Sequence, residues 1–452
     1  MRLLEYFEAG VQQEQRLHQF EKYAIGVYRV PQALKKLCDG RCSPSIPTFS
    51  VVNALLHAAV LRVPSLNALE EQLEEAEFQR LLGHRVRKGK RAFSADTMAD
   101  VLDTLDIRGL ESTVVNLVKK AERNKAFRDD TFGTFRTVAV DGWEPFSSYR
   151  QHCDGCLTRQ VRIKVRDEDG EWVEEEVTQY YHRFVVAFLI APTLDITLAI
   201  EPVFSADMRP DLDDKAARHE GELTAALRLF DRLHQHYGRF IDAFALDALY
   251  ACGPVLSKLQ MYRYGAFIIT KRKNADPYRY ANEIWQLRDG PDSVELDPIT
   301  GEKVEFWELD NVDALKSFKG SVKMLKAVVT RKNGAKSTWV MAILGKGRRA
   351  SRCVALRIMR ARWHIENTAF HQWVTKWNLD HCYRHTSNAV TAVMHIWILA
   401  FNLMQLFFYR RLRKARRGRK VTDTFQRVIR RFWVDLGSLT APVPWGDLTN
   451  TS

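Results

Sequence analysis

The sequence predicts a mixed α/β protein: a core sheet of about three to five strands flanked by helices, with helical segments before and after it and a strand-rich insertion late in the core. Three observations predict it. Residues 1–130 space their apolar side chains three and four apart, the period of helices. Between residues 135 and 271, short β-branched runs replace that period around one amphipathic helical stretch. From Ala350 the helical period returns.

In the N-terminal region, Ser65 to Phe78 and Ser94 to Leu105 are the clearest helical stretches, with Ser94 and Asp96 as caps ahead of the second. The basic loop from His84 to Arg91 between them suits phosphate contact and a solvated connector equally. Arg136-Thr-Val-Ala-Val-Asp141-Gly142 is a buried strand with a carboxylate at its C-terminal tip. Gln160 to Val165, the turn Asp167-Glu-Asp-Gly170 and Glu171 to Val177 form a hairpin. Strands Arg183 to Ala191 and Ile196 to Phe204 follow, then an acidic loop. Leu223, Ala226, Leu227, Phe230 and Leu233 mark an amphipathic helix. Phe240 to Leu246 is a second strand ending in an acid, Asp247, and Gly265 to Lys271 is a further strand. Residues 275–345 show turns and short strands, and residues 350–377 a helix. Residues 389–409 form an apolar helix, followed by a basic run from Arg410 to Lys420.

The chain has 452 residues, of which 46% are hydrophobic, ample for a large core and against wholesale disorder. Lys and Arg number 68 against 55 Asp and Glu, a formal net charge of +13, which favours polyanionic partners. Seven cysteines, an odd number, fit a reducing compartment without a disulfide framework. No signal peptide is expected, because the residues from Met1 to Glu8 carry acids early and lack a long apolar region. The stretch 389–409 has the length of a membrane span, but Thr391, His395, Asn402 and Gln405 interrupt it; a buried helix is expected, and no membrane partner.

Three acids stand where phosphodiester chemistry needs them. Cleaving such a bond at neutral pH requires an activated oxygen nucleophile and neutralised phosphate charge, and two Mg²⁺ ions held by a few carboxylates do both. Asp141 and Asp247 end strands. Glu366 lies in the helix 350–377, within a stretch from Lys346 to Arg384 that has nine basic residues and only one other acid, Asp380. The bland alternatives are a Glu366–Arg362 pair one helical turn apart and strand-end aspartates that only cap the next helix.

At Val138-Ala-Val-Asp141-Gly142, Phe244-Ala-Leu-Asp247-Ala-Leu-Tyr-Ala251 and Arg362-Trp-His-Ile-Glu366-Asn367, the chain resembles DDE transposases of bacterial insertion sequences, in the branch with a β-strand insertion before the final Glu. Tyr180-Tyr-His182 adds to the match, which runs from about residue 130 to 410. The resemblance implies an RNase H-like core, catalytic and metal-binding roles for Asp141, Asp247 and Glu366, and two Mg²⁺ ions, with Mn²⁺ as substitute. Asp141 then bridges the ions and Arg362 positions phosphate. It implies double-stranded DNA partners (element ends and target), a homodimer on DNA, and a bacterial, nucleoid-associated cytoplasmic location. The branch's helix motif is Tyr, two residues, Arg, three residues, Glu, six residues, Lys or Arg. Here Met359 and Trp373 stand at its first and last positions, and Lys376, three residues on, is the available cation.

The expected division is a helical DNA-binding region over 1–130, a catalytic core over 131–274 and 346–410, a β-rich insertion over 275–345, and a basic C-terminal segment over 411–452. Lys271, Arg272 and Lys273 are further candidates for phosphate contact. Trp285, Trp307 and Trp339 are candidates for stacking on a base, or alternatively the core of a small β-layer. Cys153, Cys156 and His182 have zinc-like spacing, against a turn with two thiols as the simpler reading. Competing functions are an inactive, transposase-derived DNA-binding protein, a nuclease without joining activity, and a membrane-anchored protein.

Overall fold

The computed structural model describes residues 15–84, 86, 89–166, 171–206, 208, 219–270, 276–313, 317–412 and 424–440. The chain divides into two compact units, one from Met1–Ala126 with Val374–Ser452, the other from Phe127–Trp373.

The second unit is built on one sheet. Its strands are β1 (Thr137–Trp143), β5 (Phe184–Ile190), β6 (Ile196–Pro202), β7 (Ala243–Leu246), β8 (Gly265–Ile269), β9 (Ser293–Leu296), β10 (Lys303–Val312), β11 (Val322–Thr330) and β12 (Lys336–Leu344). They lie in the order β6-β5-β1-β7-β8-β12-β11-β10-β9. β1 pairs antiparallel with β5 and parallel with β7, and β7 pairs parallel with β8. That is the expected RNase H-like core: three antiparallel strands followed by two parallel to the first. Parallel pairs need crossovers, and the helix Gly253–Met261 connects β7 to β8. β5, β7 and most of β1, β6 and β8 are buried on both faces, which is why they read as continuous apolar runs.

The hairpin is present as β3 (Leu157–Arg166) and β4 (Trp172–Tyr181), joined by the two-residue β2 (Ser147–Ser148) into a separate three-stranded sheet. Among the described residues the strand-rich insertion forms no layer of its own. β12 pairs with β8 from Met341↔Ile269 to Leu344↔Ala266, so β9 to β12 lengthen the core sheet. The strands there run to ten residues rather than the short ones expected, because each finds a neighbour along nearly its whole length.

In the first unit the apolar helix Ser387–Leu406 packs against the helices Thr48–Leu61, Ala95–Thr104 and Ile107–Arg123. With the following π-turn Phe407–Leu412 it is long and apolar enough to cross a membrane, yet its apolar window is wholly buried inside the protein. A helix that is apolar all round needs other helices around it. This accounts for the chain from Val374 grouping with the N-terminal helices rather than with the core. Ser94 caps Ala95–Thr104 by accepting the Thr97 amide. The stretch Ser65 to Phe78 divides into the helices Leu66–Gln72 and Ala76–Leu81. Of the basic run Arg410 to Lys420, residues 413–420 lie outside the described residues.

Phe401 is 1% exposed and packs edge-on to Trp377 at 5.5 Å. Phe401→Ala is expected to cost roughly 3–5 kcal/mol, as lost burial plus a residual cavity. Urea unfolding with an unchanged m-value checks it, and a loss below about 1 kcal/mol contradicts the packed-helix role.

Candidate active site

β1 and β7 pair in parallel from Thr137↔Ala243 to Val140↔Leu246. The next residue on each strand is an acid, so Asp141 and Asp247 come side by side at the carboxyl end of the parallel pair. Asp141 is not the last residue of its strand, because β5 continues to pair with β1 as far as Trp143↔Phe184. Its Oδ1 accepts the Gly142 amide at 2.9 Å. Asp247 also plays the bland role: Oδ1 accepts the Leu249 amide at 2.8 Å and caps the turn Ala248–Tyr250. That turn separates Asp247 from the next helix, which begins at Gly253.

Glu366 does not lie in one regular helix. The helix Arg352–Ala361 gives way at Arg362 and Trp363, and Ile365–Phe370 forms a π-helical turn ahead of His371–Trp377. Such wide turns carry an extra residue and recur at functional sites. This one packs against β1 and β5 and so delivers Glu366 to the carboxyl end of β1. Arg362 is 5% exposed. Its Nη2 donates to Glu366 Oε1 at 3.0 Å and its Nη1 to Asp141 Oδ2 at 3.1 Å. The helix-turn ion pair and the clustering of the acids therefore coexist, since one guanidinium joins two of the three predicted acids.

A fourth carboxylate, unpredicted, belongs to the site. Glu222 opens the helix Glu222–Tyr237. Tyr250, fully buried, donates its hydroxyl to Glu222 Oε1 at 2.8 Å, and Arg183 Nη2 donates to Oε2 at 2.5 Å. The Glu222 carboxylate lies against Gly142, where any Cβ would collide with it. In the sequence this glutamate looks like an ordinary first-turn acid favoured by the helix dipole. The only hints were the Gly after Asp141 and the Tyr in Asp-Ala-Leu-Tyr-Ala.

The electrostatics follow from this crowding. Burial pushes the Asp141 carboxyl up to about 6; Arg362 opposes that, while the charges of Asp247, Glu366 and Glu222 add to it. Burial, and after it Glu222, Asp141 and Asp247, push the Tyr250 hydroxyl well above its ordinary value, so it stays a donor. Among the described residues, four carboxylates against the two guanidiniums of Arg362 and Arg183 leave an excess of two negative charges. Hard oxygen donors with that excess fit divalent Mg²⁺ or Mn²⁺. Asp141, Asp247 and Glu366 would hold such ions, with Glu222 adjoining.

The remaining predicted residues fall elsewhere. Trp373 is 1% exposed, 5.0 Å from Trp143 and 5.7 Å from Phe370, so an aromatic cluster fills the position expected for a base. Lys376 is exposed and belongs to the other unit, where its carbonyl accepts from Arg62. Lys271, Arg272 and Lys273 lie outside the described residues. Trp285 is buried in the helix Asp276–Gln286, which suits packing rather than base stacking. Trp307 and Trp339 are half-buried and project from opposite faces of the sheet, because their partners Lys326 and Ala327 are consecutive on β11. Lys326 Nζ sits 4.5 Å from the Trp307 ring centre. Cys153, Cys156 and His182 do come together, as described below.

Residues 212–403 match the family model described as the Transposase DDE domain, a span that includes Glu222, Asp247, Arg362 and Glu366. No curated protein matches the chain. Among solved structures, the cryo-electron microscopy structure of the piggyBac transposase synaptic complex with hairpin DNA is similar at 10% sequence identity and a TM-score of 0.42, covering 98% of this chain and 83% of that one.

Two outcomes follow from the geometry. An Asp titrating near 6 when folded and near 3.8 when unfolded binds more protons folded, so it lowers metal-free stability as pH rises through that window. Asp141→Asn is therefore expected to stabilise the metal-free protein at pH near 8 by roughly 3 kcal/mol, with the gain vanishing near pH 4. Melting curves at the two pH values check this; a destabilised variant at pH 8 contradicts it. Glu222→Gln, which keeps the side chain's shape, is expected to weaken Mn²⁺ binding roughly 10–100-fold, read by calorimetry. Unchanged affinity removes Glu222 from the site.

Proposed function

We propose that this chain is a DNA transposase that binds the ends of an insertion sequence, nicks DNA by metal-dependent hydrolysis and transfers the freed 3′ end to target DNA. The observation that carries the reading is the pairing of Asp141 and Asp247 at the carboxyl end of β1 and β7, with Glu366 joined to Asp141 through Arg362. The family match over residues 212–403 and the net charge of +13 support it.

Two divalent ions held by Asp141, Asp247 and Glu366 would supply an activated oxygen nucleophile and neutralise phosphate charge. The chain's own side chains do the rest. Arg362 is buried and already oriented by two carboxylates, so its guanidinium is preorganised to donate to a phosphate oxygen. Arg183 and Tyr250 hold Glu222 in place, which keeps the acid cluster from relaxing apart. In the proposed reaction water attacks phosphorus in line with the departing 3′ oxygen, leaving a 3′-hydroxyl and a 5′-phosphate. That hydroxyl then attacks a phosphodiester of the target, forming one bond as another breaks. Pairing two ends implies a dimer on DNA, and a bacterial, nucleoid-associated cytoplasmic setting goes with the reading.

The test is Mg²⁺-dependent cleavage of the DNA flanking this protein's gene, followed by a strand-transfer assay. Wild type is expected to nick at defined ends, and Asp247→Ala and Glu366→Ala to lose at least about 100-fold in rate. Arg362→Lys is expected to lose roughly 10–100-fold while retaining metal binding, because an ammonium cannot bridge two acids as a fork does. Binding of that DNA without cleavage in Mg²⁺ or Mn²⁺ favours an inactive, transposase-derived binding protein. Cleavage without joining favours a nuclease. Cleavage that survives Glu366→Ala overturns the third ligand.

A further inference from the structure

The hairpin stays in register from Arg166↔Trp172 to Leu157↔Tyr181, and one further step sets Cys156 opposite His182. The chain before Cys156 turns back on itself, with the Cys156 amide donating to the Cys153 carbonyl at 2.9 Å. Ser205 Oγ donates to the Asp154 carbonyl at 2.7 Å and holds this turn. Three donor atoms consequently converge. The two sulfurs are 3.8 Å apart, and His182 Nε2 lies 3.4 Å from Cys153 Sγ and 3.5 Å from Cys156 Sγ. No disulfide joins the sulfurs.

Those separations are the edges of a tetrahedron around one metal. With bonds of about 2.3 Å to sulfur and about 2.0–2.1 Å to nitrogen, tetrahedral angles give edges of roughly 3.8 Å for S···S and 3.6 Å for S···N. Cys156 and His182 are each 5% exposed, which suits a site that shapes structure. The Cys153 amide points at Cys156 Sγ at 3.4 Å, an arrangement that favours thiolate. Thiolate and imidazole select Zn²⁺, whereas the oxygen donors of the carboxylate site select Mg²⁺ or Mn²⁺.

We propose that Cys153, Cys156 and His182 bind one structural Zn²⁺, with a further donor in the fourth position. The ion clamps the open end of the β3–β4 hairpin to the start of β5. His182 immediately precedes Arg183, which holds Glu222, so the clamp also anchors the strand that braces the carboxylate cluster. This inference does not depend on the proposed DNA chemistry.

The experiment is elemental analysis of the full chain, purified without chelator from zinc-replete medium. About one Zn²⁺ per chain is expected in wild type and in Asp247→Ala, and its loss in His182→Ala. His182→Cys, which restores a donor, is expected to recover the ion. Cobalt exchanged into the wild-type protein is expected to show thiolate charge-transfer and tetrahedral d–d absorption, a readout free of any folding defect in the variants. The proposal is overturned by a folded wild type holding less than about a tenth of an equivalent of zinc, by zinc that stays in His182→Ala but leaves in Asp247→Ala, or by a Cys153–Cys156 disulfide in the isolated protein.

Discussion

Four carboxylates drawn into one partly buried place repel one another and lose hydration, and the second unit is arranged around keeping them there. Arg362 offsets most directly, because its planar fork reaches Asp141 and Glu366 together. A single lysine has no comparable geometry. Even so, Asp141 stays hard to ionise, with burial as the first cause and the neighbouring acids behind it. The site is thus held under electrostatic tension that a divalent cation would relieve.

Several features that look unrelated serve this one constraint. Parallel pairing of β1 and β7 supplies two adjacent acids, which antiparallel pairing would have placed at opposite ends. The π-turn after Arg362 brings Glu366 down onto β1, where Trp143, Phe370 and Trp373 fill the space behind it. Gly142 leaves room for Glu222, and buried Tyr250 holds that side chain from the far side.

The extension of the sheet by β9 to β12 has a similar logic. β8 would otherwise expose a row of unpaired amides and carbonyls beside the site. Pairing with β12 covers that edge and passes it outward to the four-residue β9. On the other side, the β3–β4 hairpin leaves the chain between β1 and β5, and the Cys153–Cys156–His182 cluster lies where it rejoins them.

Strands and helices were legible because each is a local matter: β-branched runs for β1 and β5, a short apolar run for β7, a 3.6-residue period for Glu222–Tyr237, and a long all-apolar stretch for Ser387–Leu406. The three acids were legible too, since an acid after an apolar run or alone among cations has a local signature. Glu222 had none, because a first-turn glutamate is common and its role arises only when Gly142, Arg183 and Tyr250 surround it. The break at Arg362 was hidden for a related reason: a π-turn conserves the residue types of a helix and changes only its phase, so Trp373 and Lys376 ended in positions that counting along a regular helix does not give. The meeting of Cys156 and His182 lies between these cases. Both stand equally far from the hairpin turn, so their pairing was written in the register, but Cys153 joins them only through the folding of its own turn. Sequence by itself determined the elements and the chemically capable residues, because those depend on neighbours along the chain. Which charges share a site was decided by tertiary structure, because repulsion, burial and ion pairing depend on distances that only the folded sheet sets.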